Sequence, residues 1–215
     1  MRNEIIEAVR RHKLIVILRG LAREKLIPLC EALYRGGVRL VEVTYSADGR
    51  TSDEETAARI GMLAEHFAGR MFIGAGTVLS KEQVTLTCEA GGGFIISPDA
   101  NSEVIRATRE AGMVSIPGAL TPTEIQSAHA AGADFVKLFP VTGFGASYIK
   151  AIRAPLSHIE MLAVGGIDLD NIAEFRATGI AGVGIASGIT DRKMIDAEDY
   201  DGIEALARRY TEAMM

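Results

Sequence analysis

Residues 113–140 read MVSIPGALTPTEIQSAHAAGADFVKLFP. An apolar run, MVSIPGA (113–119), gives way to TPTEIQSAHAAGA (121–133), where apolar residues at i, i+3 and i+4 form a stripe beside a polar face. A second apolar run, DFVKLFP (134–140), follows. Thr121-Pro122 with Glu124 behind it is a helix start, and Gly132 is a helix stop. The unit is strand, helix, strand.

The same alternation extends in both directions. Short apolar runs stand at LIVILRG (14–20), RLVEVTY (39–45), MFIGAGTV (71–78), GFIISP (93–98), MLAVGGI (161–167) and GVGIASGI (182–189), making eight with the two above. Helical periodicity fills the intervals, as in EKLIPLCEALYRGG (24–37) and SDEETAARIGMLAEHFAG (52–69). Ser80 and Asn101-Ser102-Glu103 are further start signals, and Gly36, Gly91, Gly112 and Gly179 are stops. The spacing is even, roughly 20 to 25 residues, with no long linker and no shift in composition. It predicts one α/β domain over residues 1–215, a (β/α)8 TIM barrel with a short N-terminal helix, small against about 250 residues for the class. A doubly wound open sheet has the same strand count and is the alternative.

The chain has 48% apolar and 24% charged residues, within the ordinary globular range. Its net charge of −5 is modest and the charges are scattered, which disfavours nucleic acid and anionic membranes as partners. No stretch reaches the roughly 18 to 20 apolar residues of a membrane helix, and MRNEIIEAVRRHK (1–13) is amphipathic, so a cytoplasmic protein is expected. Cys30 and Cys88 lie far apart within helix-like stretches and are expected as buried free thiols. His12, His66, His129 and His158 are dispersed, and no metal site is expected.

In a barrel, alternate strand residues point into the lumen, and functional groups gather where the strands end. Phe135, Lys137 and Phe139 share one face of the sixth run, opposite Val136 and Leu138. The apolar face suits helices, so Lys137 points inward. By the same parity Leu40, Glu42 and Thr44 point inward from the second run, which lies across the ring from the sixth. Arg19 ends the first run in register with Ile15 and Ile17, and Thr77 ends GAGT (74–77) on the third. Lys137 and Glu42 could instead form a buried ion pair that only fixes register, a poor source of stability. Arg19 could simply reach solvent.

Lys137 alone among the six lysines sits in the middle of an apolar run. An amine with an ordinary pKa of about 10.4 is protonated at neutral pH, but burial and cationic neighbours favour the neutral amine that forms Schiff bases with ketones. A facing carboxylate can shuttle protons. A 2-keto acid suits the pair, its carboxylate held by Arg19 or Thr77. The seventh and eighth runs end in AVGGI and GIASG, and backbone N–H groups at Gly165, Gly166, Ala186 and Ser187 are candidates for holding a phosphate. Glycines there serve turns equally well.

The chain resembles the KDPG/KHG aldolases, the class I 2-keto-3-deoxy-6-phosphogluconate and 4-hydroxy-2-oxoglutarate aldolase family, through VILRG, VEVT, GAGTVL, ISP, IPGALTPTE, VKLFP and AVGGI in order. The stretches SEVIRATREAGM (102–113) to YIKAI (148–152) are most similar to the phosphogalactonate branch. The resemblance implies a TIM barrel, usually a homotrimer, acting on a small 2-keto acid and pyruvate without a cofactor or metal. It implies Lys137 as the Schiff-base lysine and Glu42 as the acid/base, with Arg19 and Thr77 on the carboxylate and Phe139 packed on the substrate. Gly165, Gly166, Ala186 and Ser187 would line the phosphate site, while Pro98 and Pro117-Gly118 shape the mouth. Three features depart from the pattern. Tyr45-Ser46 replaces a Leu-Arg whose arginine grips the carboxylate. The stretch YSADGRTSDEETA (45–57) either brings Arg50 to the substrate or caps the next helix. Val164 replaces a frequent threonine. The expected activity is cleavage of a 2-keto-3-deoxy sugar acid, 6-phosphorylated, to pyruvate and an aldehyde such as glyceraldehyde 3-phosphate. The alternatives are cleavage of 4-hydroxy-2-oxoglutarate to pyruvate and glyoxylate, and a non-catalytic sugar-phosphate-binding barrel.

Overall fold

The computed structural model describes residues 1–215. Helix α1 (Arg2–His12) precedes β1 (Leu14–Leu18), α2 (Arg23–Arg35), β2 (Leu40–Thr44), α3 (Asp53–His66), β3 (Phe72–Gly76), α4 (Lys81–Glu89), β4 (Phe94–Ile96) and α5 (Ser102–Glu110). Then come β5 (Val114–Ile116), β6 (Gly118–Ala119), α6 (Pro122–Ala130), β7 (Val136–Leu138), α7 (Gly145–Arg153), β8 (Met161–Val164), α8 (Ile172–Arg176), β9 (Gly182–Ile185), α9 (Arg192–Asp196) and α10 (Tyr200–Met214). No helix is long and apolar enough to cross a membrane.

Every strand pairing is parallel, in the order β5-β4-β3-β2-β1-β9-β8-β7-β6. The two ends of that order, β5 and β6, are consecutive in the chain and separated only by Pro117. The backbone N–H of Phe135 reaches Ser115 O at 3.3 Å and that of Lys137 reaches Pro117 O at 2.8 Å, so one continuous segment joins β4 on one side to β7 on the other. The sheet closes, and the open doubly wound alternative is excluded. The eight apolar runs give nine strand segments because Pro117 has no N–H and breaks the ladder.

The core has two layers. Outward-facing strand residues such as Val16, Val41, Val136 and Leu138 pack under the helices, while Ile15, Leu40, Phe94, Ile96, Val114, Ile116, Phe135 and Leu162 fill the lumen. Helix α1 adds Ile5, Ala8 and Val9 to the lumen cluster and closes its N-terminal end. Gly93 makes room for it, since a Cβ there would stand 2.4 Å from Ile5 Cδ1. Asp134, at the start of the β7 segment, accepts from Arg2 of α1, from Arg109 Nη1 at 2.7 Å and from Ser115 N at 2.9 Å. The floor is thereby tied to the wall.

Ser80, Asn101 and Thr121 are N-caps, and Thr121 with Glu124 forms a capping box behind Pro122. Two expectations need correction. Gly36 has φ −73° and approaches α10, where a Cβ would meet that of Ala207 at 2.6 Å; its neighbour Gly37, φ +96°, is the left-handed stop. Cys30 is buried, but Cys88 is exposed, because α4 buries Val84 and Thr87 and leaves Cys88 on its flank.

Candidate active site

Strand β7 presents Lys137 to the lumen at 5% exposure, and β2 presents Glu42 at 2%. Four places separate the two strands in the ring, so the groups approach from opposite walls. Both border a narrow pocket of about 10 Å³, walled by Ile15, Ile17, Ile96, Ile116 and Leu162, with room for about one water molecule. Glycine at position 76 is what admits the carboxylate. A Cβ there would stand 2.3 Å from Glu42 Oε1.

Burial pushes the Lys137 ammonium below its ordinary pKa, with Glu42 opposing and Arg19 reinforcing the shift. Burial pushes the Glu42 carboxyl upward, opposed by the charges of Lys137 and Arg19. The two groups influence each other through charge, with no hydrogen bond between them. They are not the direct ion pair that a purely structural role requires. The Phe139 ring centroid lies 4.4 Å from Lys137 Nζ and forms an apolar wall beside it.

Above the lumen opens a cavity of about 480 Å³. Arg19, Lys137, Phe139, Gly165, Gly166, Ala186 and Ser187 all line it, bringing together seven of the ten residues singled out from the sequence. Lys137 is common to this cavity and the narrow pocket, and Glu42 lies in the pocket beneath. Gly165 and Gly166 adopt φ +105° and +69°, and Thr142 packs so closely that a Cβ at Gly166 would meet its Oγ1 at 2.9 Å. Chain packing alone therefore accounts for both glycines. Thr77 and Pro98 follow β3 and β4 at the same end of the barrel but do not line this cavity. Thr77 adopts φ +57°, unusual for a β-branched residue.

Two of the three departures from the family pattern resolve structurally, and the third, Val164, lines both the narrow pocket and the cavity. Tyr45 is buried on the outer face, where its hydroxyl donates to Gln83 O at 3.1 Å and lies 2.9 Å from Thr87 Oγ1. Arg50 is 87% exposed and pairs with Asp48 at 3.0 Å, while Ser52 caps α3 by accepting from Glu55 N. The 45–57 segment is a turn and a cap, and it leaves Arg50 outside the cavity. Asp168 lines the cavity and was not anticipated. Its Oδ1 accepts from the N–H groups of Asp170 at 3.0 Å and Asn171 at 3.2 Å. In sequence, GGIDLDN (165–171) carries the signal only as a turn.

Comparison with known proteins supplies the class. The KDPG and KHG aldolase family model matches residues 5–206. A probable 2-dehydro-3-deoxy-6-phosphogalactonate aldolase from Rhizobium meliloti (strain 1021) is 40% identical over 82% of this chain and 81% of its own. The 2-dehydro-3-deoxy-6-phosphogalactonate aldolase of Escherichia coli (strain K12) is 34% identical over 94% of this chain and 96% of its own. Among solved structures, the KDPG aldolase from Legionella pneumophila, with pyruvate captured at low pH as a covalent carbinolamine intermediate, superposes with a TM-score of 0.84. It is 28% identical, and the match covers 94% of this chain and 96% of that one. The barrel and these relatives define an aldolase, a lyase acting on carbon–carbon bonds. The chain belongs to the KDPG and KHG aldolase family.

Proposed function

We propose that the protein is a class I aldolase that cleaves a 6-phosphorylated 2-keto-3-deoxy sugar acid to pyruvate and glyceraldehyde 3-phosphate. The observation that carries this reading is the lysine in the lumen: Lys137 is buried, biased toward its neutral form and faced by a carboxylate with which it makes no hydrogen bond. A neutral Lys137 attacks the C2 ketone, and the neutral Glu42 carboxyl donates its proton to the carbinolamine hydroxyl, which leaves as water and gives an iminium and a Glu42 carboxylate. Glu42, directly or through a water in the narrow pocket, accepts the proton of the C4 hydroxyl as the C3–C4 bond breaks and its electrons move into the iminium. The aldehyde departs and leaves an enamine. Glu42 returns the proton to C3, and water hydrolyses the pyruvyl imine to release pyruvate and free Lys137.

Arg19 holds the keto-acid carboxylate from the rim of the cavity, with Thr77 and Pro98 following β3 and β4 on the same face of the barrel. Phe139 packs against the pyruvyl part. The backbone at Gly165, Gly166 and Ala186, with the Ser187 hydroxyl, receives the phosphate. The two phosphogalactonate relatives favour the galactonate stereoisomer, and Tyr45-Ser46 in place of the usual Leu-Arg speaks against a simple phosphogluconate specificity. The family resemblance extends the reading to a cytoplasmic homotrimer, and light scattering measures its mass in solution.

A second reading, cleavage of unphosphorylated 4-hydroxy-2-oxoglutarate, draws on one observation: Asp168 is the one acidic side chain lining the cavity, and an acidic neighbour opposes a doubly charged phosphate more than a single carboxylate. Pyruvate release coupled to lactate dehydrogenase, compared across the phosphogalactonate, phosphogluconate and hydroxyoxoglutarate substrates, decides between them. The proposal expects the highest kcat/KM for the phosphogalactonate. Equal rates on unphosphorylated compounds would remove the phosphate site from the account.

A further inference from the structure

The geometry points to Arg192 as a positioning residue for Arg19, an inference that rests on the proposed grip of Arg19 on the substrate carboxylate. Arg19 is exposed, and no other side chain holds its guanidinium. Its direction is set by the backbone that carries it. That backbone leaves β1 after Leu18 and turns at Gly20, φ +59°, a residue with wide conformational freedom. The turn is held by its carbonyl oxygens, which accept from side chains of three other elements. Thr44 Oγ1 donates to Leu18 O at 3.4 Å, Arg192 Nη2 to Gly20 O at 3.0 Å and Arg59 Nη1 to Leu21 O at 3.0 Å.

Arg192 differs from the other two in what it connects. It is the first residue of α9, directly after the N-cap Asp191, whose Oδ1 accepts from Lys193 N at 2.7 Å and Met194 N at 3.2 Å. The loop that ends there leaves β9, the strand paired beside β1, through Ala186 and Ser187, which also line the cavity. One charge-assisted bond thus ties the segment bearing Arg19 to the segment bearing the candidate phosphate donors. Arg192 acts on the residue adjacent to Arg19, at the softest point of the turn, and a planar guanidinium fixes direction as well as distance. Without it the Gly20 turn relaxes and Arg19 loses its aim on the carboxylate. The lysine is unaffected, so binding suffers and chemistry does not.

The test is a double-variant cycle in full-length protein, read by steady-state kinetics on the 2-keto acid substrate and by melting temperature. Arg192→Ala is expected to raise KM about tenfold with kcat within about twofold of wild type. Arg192→Lys, which keeps one donor to Gly20 O, is expected to recover most of that loss. In an Arg19→Ala background, Arg192→Ala should add nothing further, because its effect passes through Arg19. Independent, additive losses in the double variant, an unchanged KM, or a kcat that falls in step with the melting temperature overturns the inference and leaves the aldolase reading standing. A silent Arg19→Ala, with pyruvate still captured on Lys137, overturns the Arg19 assignment and this inference together. Failure to capture pyruvate on Lys137 at all sinks the aldolase mechanism itself.

Discussion

Burial drives Lys137 and Glu42 toward their neutral forms from opposite sides of the titration scale. That state makes the amine a nucleophile, and it leaves a signature in stability. The folded-state pKa of Glu42 lies above the ordinary 4.5, so the folded protein holds that proton more tightly than the unfolded chain. Its favourable contribution is complete below about pH 4.5 and is lost as pH rises through the raised value. Glu42→Gln keeps the shape and removes the titration. Wild type should therefore lose stability relative to Glu42→Gln as pH climbs from 4.5 upward, measured by urea unfolding at a series of pH values. A constant difference would mean that Glu42 titrates normally. Lys137 has the opposite sign of slope, because a lowered lysine pKa makes stability rise as pH climbs from that lowered value to the ordinary 10.5.

Among the elements, β3 shows how a strand can serve a side chain on its neighbour. Gly76 pairs with Thr44 across the β2–β3 ladder and leaves the space that the Glu42 carboxylate occupies. Gly76→Ala should displace the carboxylate by about 1 Å and lower kcat by about 100-fold, with KM little changed. Steady-state rates check this, and an unaltered kcat would show that Glu42 need not sit where it does. Strand parity made much of this site legible in advance: an inward Lys137 follows from the apolar partners Val136 and Leu138 on the other face, and an inward Glu42 from Val41 and Val43. The capping box at Thr121 was equally readable, being written within four residues. What sequence could not resolve depends on contacts between distant segments. Arg50 and Ser52 compete for one short stretch, and only the fold sets Arg50 against Asp48 in solvent. Asp168 reads as a turn residue because its Oδ1 accepts from Asp170 and Asn171 N–H groups, and only the folded barrel brings that turn to the cavity. Cys88 fits a helical pattern whose buried face proves narrow.

At the level of the whole molecule, the barrel separates stability from chemistry along its axis. Its N-terminal end is sealed by α1 through Ile5, Ala8 and Val9 and tied by Asp134 to Arg2 and Arg109, while the polar groups of the candidate site stand at the other end. Ile5→Ala, at a position 1% exposed, should cost about 2 to 5 kcal/mol of unfolding free energy and leave KM unchanged. Chemical denaturation and kinetics on the same sample test both halves, and a large KM change would mean that the two ends are coupled. Ring closure through Pro117 sets β2 and β7 opposite each other and so brings one lysine and one carboxylate to a shared pocket. The central claim is that this lysine becomes covalently bound to substrate. It is tested most directly by incubating the protein with pyruvate and sodium borohydride and mapping the product by mass spectrometry. The account predicts a reduced pyruvyl adduct on Lys137 alone, absent from Lys137→Met. An unmodified Lys137, or label spread over the surface lysines, would contradict it.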